Sequence, residues 1–334
     1  MLDPAWLYGV LAENDVDFFC GVPDSLLKSI CAYITDHVPS ENHIIASNEG
    51  AAMAIAAGYH LATGRLPLVY LQNSGIGNLV NPLLSLADPD VYSIPMLIMI
   101  GWRGEPGVKD EPQHVKQGRV MLAMLEAMEV PYCVISGESD AAKEEIARMA
   151  RTAVEQQRPT ALVIRKSAIG PYQLQGRDAP APPLAREQAI ELIVESMAAD
   201  DVVVSTTGMI SRELYELRRR RGEEDGRDFL TVGSMGHACS IALGIALRQP
   251  ARRVFCLDGD GAVLMHMGSL AIQGRFAPRN FRHIVLNNGC HDSVGGQPTV
   301  GFEVSLPAVA AACGYTVIET AETPEAIREG FGRL

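Results

Sequence analysis

With 334 residues, 47% of them hydrophobic and 20% charged, the chain is long enough for two globular domains of ordinary size. A formal charge of −12 argues against nucleic acid or a membrane surface as partner, and any anion it handles must meet positive charge gathered locally. Seven cysteines at 20, 31, 133, 239, 256, 290 and 313, with no C-x-x-C, argue against a disulfide framework or a zinc site and fit a reducing cytoplasm.

The N-terminal MLDPAWLYGVLAENDVD is acidic and lacks the basic start of a signal peptide. Short apolar runs then alternate with helical stretches. DFFCGV, HIIAS, LPLVYLQ, IPMLIMIG, PYCVIS and TALVIRK read as buried strands of a doubly wound parallel sheet. The longest run, IPMLIMIGW, is far too short to span a bilayer. Within this half, residues 44–64 (IIASNEGAAMAIAAGYHLATG) predict a helix headed by Glu49, with no further formal charge until Arg65. That helix reads as buried on every side. Taken alone, Glu49 is a helix-start acid favoured by the macrodipole, with Ser47 or Asn48 as cap.

Residues 170–187, rich in Pro and Gly and without apolar period, read as a linker. The pattern then restarts with the helix REQAIELIVESMA. The strands VVVSTTG, FLTVGSMG, RRVFCLDGDG, RHIVLNNG and YTVIETAE follow, before a last helix, TPEAIREGFGRL. The fold class is α/β: two tandem doubly wound parallel-sheet modules, 1–169 and 188–334, with no middle domain. An open sheet of this kind would hold another strand, so the second module reads as C-terminally short.

The sharpest motif lies in that second half. A strand ends at Gly259-Asp260-Gly261, a helix follows through Leu264, Met267, Leu270 and Phe276, and a second strand ends at Asn287-Asn288. A β-α-β crossover makes the strands parallel, so both ends point to one edge, where open sheets bind ligands. Carboxylate and amide oxygens suit Mg²⁺, and glycines before a helix N-terminus suit a phosphate. Either tripeptide alone reads equally as a plain turn. No P-loop is present, and no G-x-G-x-x-G follows a strand with the acid a dinucleotide site needs.

Gly259-Asp260-Gly261 and Asn287-Asn288, with 25 residues between them, resemble the diphosphate-and-metal signature of thiamine diphosphate enzymes. The resemblance implies a pyrimidine-binding module followed by a diphosphate-binding module. It implies thiamine diphosphate and Mg²⁺ as cofactors, with Asp260, Asn288 and the carbonyl of Cys290 on the metal. It implies that Glu49 shares a proton with the pyrimidine N1′. Gly233 and Met235, in GSMGHA, would face the pyrimidine and wedge the cofactor into its bent form. Thr207, Gly208, Gly259 and Gly261 would face the diphosphate. It further implies a homo-oligomer, dimer or tetramer, with active sites between subunits.

Neither the middle domain of acetolactate synthase nor the adjacent His-His pair of pyruvate decarboxylase is present. CGVPDSLLK, GWRGEPGVKDEPQHVKQG and NNGCHDSVGGQPT resemble decarboxylases of small 2-oxo acids that carry a second anion. The implied reaction converts 3-phosphonopyruvate to phosphonoacetaldehyde and CO₂ in phosphonate biosynthesis, antibiotics included. The alternatives are sulfopyruvate decarboxylation, a related carboligase, or a non-catalytic cofactor-binding homologue. For the anionic substrate the candidates are Asn73 and Ser74 in a Gly-rich loop, Arg103, Lys109 and His114 in 101–119, and Gly296 and Gln297. His114 and His291 are candidates for proton handling. On charge alone, 101–119 reads equally as a solvated loop balanced by Glu105, Asp110 and Glu111.

Overall fold

The protein is described by a computed structural model over residues 1–175, 184–223, 227–276 and 278–333. Positions 176–183 of the expected linker lie outside the described residues. Contacts divide the chain into two compact units. One is Met1–Arg177 with His291–Gln297, and the other is Asp178–Cys290 with Pro298–Leu334.

The first unit holds β1 (Phe19–Gly21), β2 (His43–Ile45), β3 (Leu68–Gln72), β4 (Met96–Gly101), β5 (Tyr132–Ile135) and β6 (Pro159–Ile164). They form one parallel sheet in the order β2-β1-β3-β4-β6-β5. All six expected strands are in it. Successive side chains of a strand point to opposite faces. Leu68 and Tyr70 of β3 and Leu97 and Met99 of β4 therefore enter one apolar cluster. Val69 and Leu71, with Met96, Ile98 and Ile100, enter the other. Each such side chain contributes roughly 1.5–3 kcal/mol. Helices cover both faces, which is why these strands are apolar throughout rather than alternating.

The second unit holds β7 (Val202–Ser205), β8 (Asp228–Leu230), β9 (Val254–Gly259) and β10 (Phe281–Leu286), parallel in the order β10-β9-β7-β8. Phe255 and Leu257 face one cluster, Val254 and Cys256 the other. The final helix, Pro324–Arg333, packs on the first face, and Phe331 stacks on Phe255 with centroids 5.2 Å apart.

Three expectations differ from the structure. YTVIETAE is not a strand: among the described residues it pairs with no neighbour, and Val317 is 49% exposed. Strand propensity measures fit to a covered, paired surface, and this segment has none. The helix after Asp260 is two pieces, Asp260–Met265 and Ser269–Phe276, broken around Gly268, a poor helix former. The helix Glu49–Thr63 is not buried all round: Ala54, Gly58 and Leu61 form an exposed apolar stripe at helical spacing.

Phe331 fills the space over β9, so Phe331→Ala should cost about 3–5 kcal/mol. Denaturant unfolding followed by near-UV dichroism checks this, and a loss below 1 kcal/mol would show that the last helix adds nothing to the core.

Candidate active site

Glu49 is the first residue of its helix. Asn48 precedes it in an extended conformation, and its side-chain oxygen accepts the Ala51 N–H at 2.9 Å. The cap is thus Asn48, which frees the Glu49 carboxylate from capping. That carboxylate is 5% exposed and accepts the Asn78 amide N–H at 2.7 Å through Oε2. On its other side lies Gly75, where a Cβ would overlap Oε1. Burial pushes the carboxyl up from its ordinary value, and the Asn78 hydrogen bond opposes this only in part. Desolvation outweighs the hydrogen bonds that this carboxylate accepts.

Asn73 begins the same loop and is almost fully buried. It donates to the Arg103 carbonyl at 2.8 Å and accepts the Arg103 N–H at 3.2 Å, clasping the loops after β3 and β4. Ser74 is exposed and accepts the Gln72 amide at 2.7 Å. The Arg103 guanidinium grips Asp110 with Nε and Nη2, and Nη1 donates to Ser25 Oγ at 2.6 Å. The Arg103 hydrogen bonds hold Asp110 well below the usual carboxylate range. Nearby Asp24 is fully buried against Gly101 and accepts the Leu26 and Leu27 N–H groups. Burial raises it to about 6. Lys109 is exposed, while His114 is half-buried, its imidazole pushed down by burial and then by Arg103. The structure thus joins Asn73, Arg103 and Asp110 in one network, with Ser25 and Asp24 as members that only the fold could reveal.

His291–Gln297 packs with the first unit. Gly296 has a positive φ of 79°, and its N–H donates to the His291 carbonyl at 2.9 Å, so that donor is already engaged. Gln297 is fully buried, with its Oε1 unpartnered and its Nε2 3.5 Å from the Lys28 carbonyl.

In the second unit the β9–β10 register sets Gly259 opposite Leu286. Asp260 follows β9 as the first residue of a helix and is 2% exposed, with Gly261 next. Its Oδ2 accepts the Thr299 hydroxyl. A Cβ on Gly301 would lie 2.5 Å from Asp260 Oδ2 and 2.7 Å from Asn287 Oδ1, so these two oxygens converge on a cradle that only glycine leaves open. Asn288 Oδ1 accepts the Cys290 N–H at 3.2 Å, which leaves it a second lone pair for a cation. A buried carboxylate ringed by amide and hydroxyl oxygens is a hard donor set, and it fits Mg²⁺. Asn287 and Thr299 belong to this cradle, and the sequence marked only the first of them. Thr207 and Gly208 lead from β7 into the helix Met209–Arg220. Gly208 has φ 96°, which turns the chain sharply at a helix N-terminus suited to a phosphate. Gly233 and Met235 lie half-buried in the loop before the helix Ala238–Arg248.

Two family signatures match the chain. Residues 5–128 match the thiamine pyrophosphate enzyme N-terminal TPP binding domain, and 206–333 match the C-terminal TPP binding domain. The chain is 39% identical to a phosphonopyruvate decarboxylase of Streptomyces viridochromogenes, over 95% of this chain and 81% of that protein. It is also 39% identical to one of Streptomyces hygroscopicus, over 95% and 80%. It is 29% identical to a sulfopyruvate decarboxylase of Methanosarcina acetivorans, over 97% and 86%. Among the described residues no helix is long and apolar enough to cross a membrane.

The Glu49 carboxyl makes a direct test possible without any ligand. Its raised folded value means that the native state keeps a proton the unfolded state has released. Stability therefore falls as pH rises from the ordinary Glu range toward the folded value. Glu49→Gln removes that penalty. It should raise the melting temperature of the cofactor-free protein at neutral pH, with the gain vanishing as pH falls below the ordinary Glu range. A gain independent of pH would contradict the burial argument.

Proposed function

This chain belongs to the thiamine pyrophosphate enzymes, and we propose that within them it decarboxylates 3-phosphonopyruvate to phosphonoacetaldehyde, as a step of phosphonate biosynthesis. The observation that carries the substrate is the match to phosphonopyruvate decarboxylases across nearly the whole chain, closer than the match to the sulfopyruvate enzyme. In this reaction the bond between the ketone carbon and the carboxylate breaks, CO₂ leaves, and a proton takes its place.

Bound thiamine diphosphate supplies the carbon nucleophile and electron sink that side chains lack. The chain's residues do the rest. Glu49 holds a proton for the pyrimidine N1′. Its desolvated carboxyl keeps that proton more readily than an ordinary Glu, and Asn78 fixes its orientation. Asp260, Asn288 and the Cys290 carbonyl would hold Mg²⁺. Thr207, Gly208, Gly259 and Gly261 would face the diphosphate, and Gly233 and Met235 the pyrimidine. Asn73, Ser74, Arg103, Lys109, His114, Gly296 and Gln297 are assigned to the anionic substrate, with His114 and His291 for proton handling. Within that set Arg103 acts as an oriented donor rather than a free charge, because Asp110 already neutralises it.

The exposed stripe Ala54, Gly58 and Leu61 supports a homo-oligomer, dimer or tetramer, with active sites shared between subunits. None of the described cysteines is in a disulfide, which supports a cytoplasmic setting.

The reading is checked by CO₂ release from phosphonopyruvate, sulfopyruvate and pyruvate, with thiamine diphosphate and Mg²⁺ present. Phosphonopyruvate should have the highest kcat/KM. A preference for sulfopyruvate would overturn the substrate, and turnover of none with cofactor bound would leave a binding protein. Glu49→Gln should lower kcat by about 10²–10⁴-fold. Gly75→Ala, which pushes the same carboxylate aside, should cost about 100-fold with the circular dichroism unchanged.

A further inference from the structure

A second buried carboxylate lies two residues before Asp260. Asp258 is fully buried on β9, on the face that also carries Cys256. A bare carboxylate in such a place would cost several kcal/mol. Its two oxygens are instead held from two directions. Oδ1 accepts the N–H of Gly259 at 3.1 Å, and Oδ2 lies 3.3 Å from Nε2 of His283 on β10. The His283 side chain is 3% exposed. Its other nitrogen, Nδ1, lies 3.1 Å from the hydroxyl of Tyr315.

The chemistry fixes the proton directions in the neutral ring. A carboxylate only accepts, so Nε2 carries the hydrogen. Nδ1 then has a lone pair and accepts from the Tyr315 O–H. Burial pushes the Tyr315 phenol up, so it stays a donor at neutral pH. The result is a line of hydrogen bonds from Tyr315 through His283 and Asp258 to the Gly259 N–H. Gly259 is the hinge between β9 and the helix that Asp260 begins. The line ends on the backbone that aims the Asp260 carboxylate, not on the carboxylate itself.

We propose that Tyr315 and His283, acting through Asp258, are positioning residues for the metal-binding turn at Gly259-Asp260. This rests on the reading of Asp260 as a metal ligand. It also assigns a use to the segment YTVIETAE, which adds no strand to the sheet but delivers the Tyr315 hydroxyl to His283. Partners that orient a metal ligand commonly change metal affinity when removed, by about 10–100-fold. This line acts one peptide away, so the low end of that range applies.

The test measures Mn²⁺ in place of Mg²⁺, counting the free ion by electron paramagnetic resonance, on full-length protein with thiamine diphosphate and no substrate. Melting temperatures are recorded alongside. His283→Leu should weaken Mn²⁺ binding about tenfold. His283→Gln, which keeps an N–H for Asp258, should recover most of that loss. Tyr315→Phe should weaken binding about threefold with the fold intact, and it decides the matter if His283→Leu does not fold. Lower melting temperatures with unchanged Mn²⁺ affinity in Tyr315→Phe, and in His283→Leu where it folds, would reduce the line to a structural contact and overturn the proposal. Cys256, Asp258 and His283 also lie close enough together to hold a cation themselves. Stoichiometric zinc retained by the purified protein would overturn the proposal as well. Asp260→Asn separates the two levels of the argument. If it leaves Mn²⁺ affinity unchanged, the ligand reading fails. If it weakens binding while the His283 and Tyr315 variants do not, only the positioning fails.

Discussion

The pairing of Gly259 with Leu286 decides where the chemistry of the second unit is placed. Because β9 and β10 are parallel, both leave the sheet at one edge, and the residues after them emerge together. Antiparallel strands would have put the two motifs at opposite ends. The register matters as much as the direction. A slip of one residue would exchange the faces of a strand, taking Asp258 away from His283 and Asp260 away from Asn287 together. The apolar residues of β9, divided between two clusters, hold that register. Core packing and site geometry are therefore the same fact, seen at the middle and at the end of one strand.

In the first unit the governing effect is desolvation. A helix N-terminus favours a carboxylate by about 0.3–1 kcal/mol at an exposed site. Withdrawal from water works against the charge by more. Glu49 sits where both act, and its carboxyl is raised. Asp24 shows the same balance: the backbone N–H groups of Ser25, Leu26 and Leu27 and the Arg103 charge oppose burial, yet it is raised to about 6. Asp110 shows the converse, since a two-pronged guanidinium contact overrides its partial burial. The acidic groups of this unit thus differ through their surroundings and not through their type.

The strands were legible because an apolar run bounded by turn residues carries its own explanation, and all six of the first unit are present. Glu49 and Asp260 were legible because each stands alone in an apolar or Gly-rich setting, next to a strand end. What escaped was pairwise. Nothing near Asn78 announces that its amide will meet a carboxylate 29 positions back. Thr299 and Asp260 are 39 positions apart, and Ser25 and Arg103 are 78 apart. YTVIETAE misled for the opposite reason. Its composition suits a strand, but pairing is decided by a neighbour, and β propensity has no knowledge of one. The charge count of 101–119 could not separate a donor from a neutralised pair, because that depends on Asp110 folding back to Arg103.

Three of the buried carboxylates, Glu49, Asp24 and Asp260, share one device. Each is faced by a buried glycine, respectively Gly75, Gly101 and Gly301, whose missing Cβ is the room the carboxylate uses. A side chain at any of these positions would have to hold the neighbouring peptide off, and water would enter the gap. Glycine lets the backbone close directly over the acid. The cost is conformational entropy, of order 0.5–1 kcal/mol for each glycine relative to alanine. The return is a carboxylate whose water is replaced by fixed neighbours. Gly75 in NSGIGN and Gly301 after Thr299 are as much a part of the site as the acids. A sequence scan for charged residues alone would pass over half of the structure that makes those charges useful.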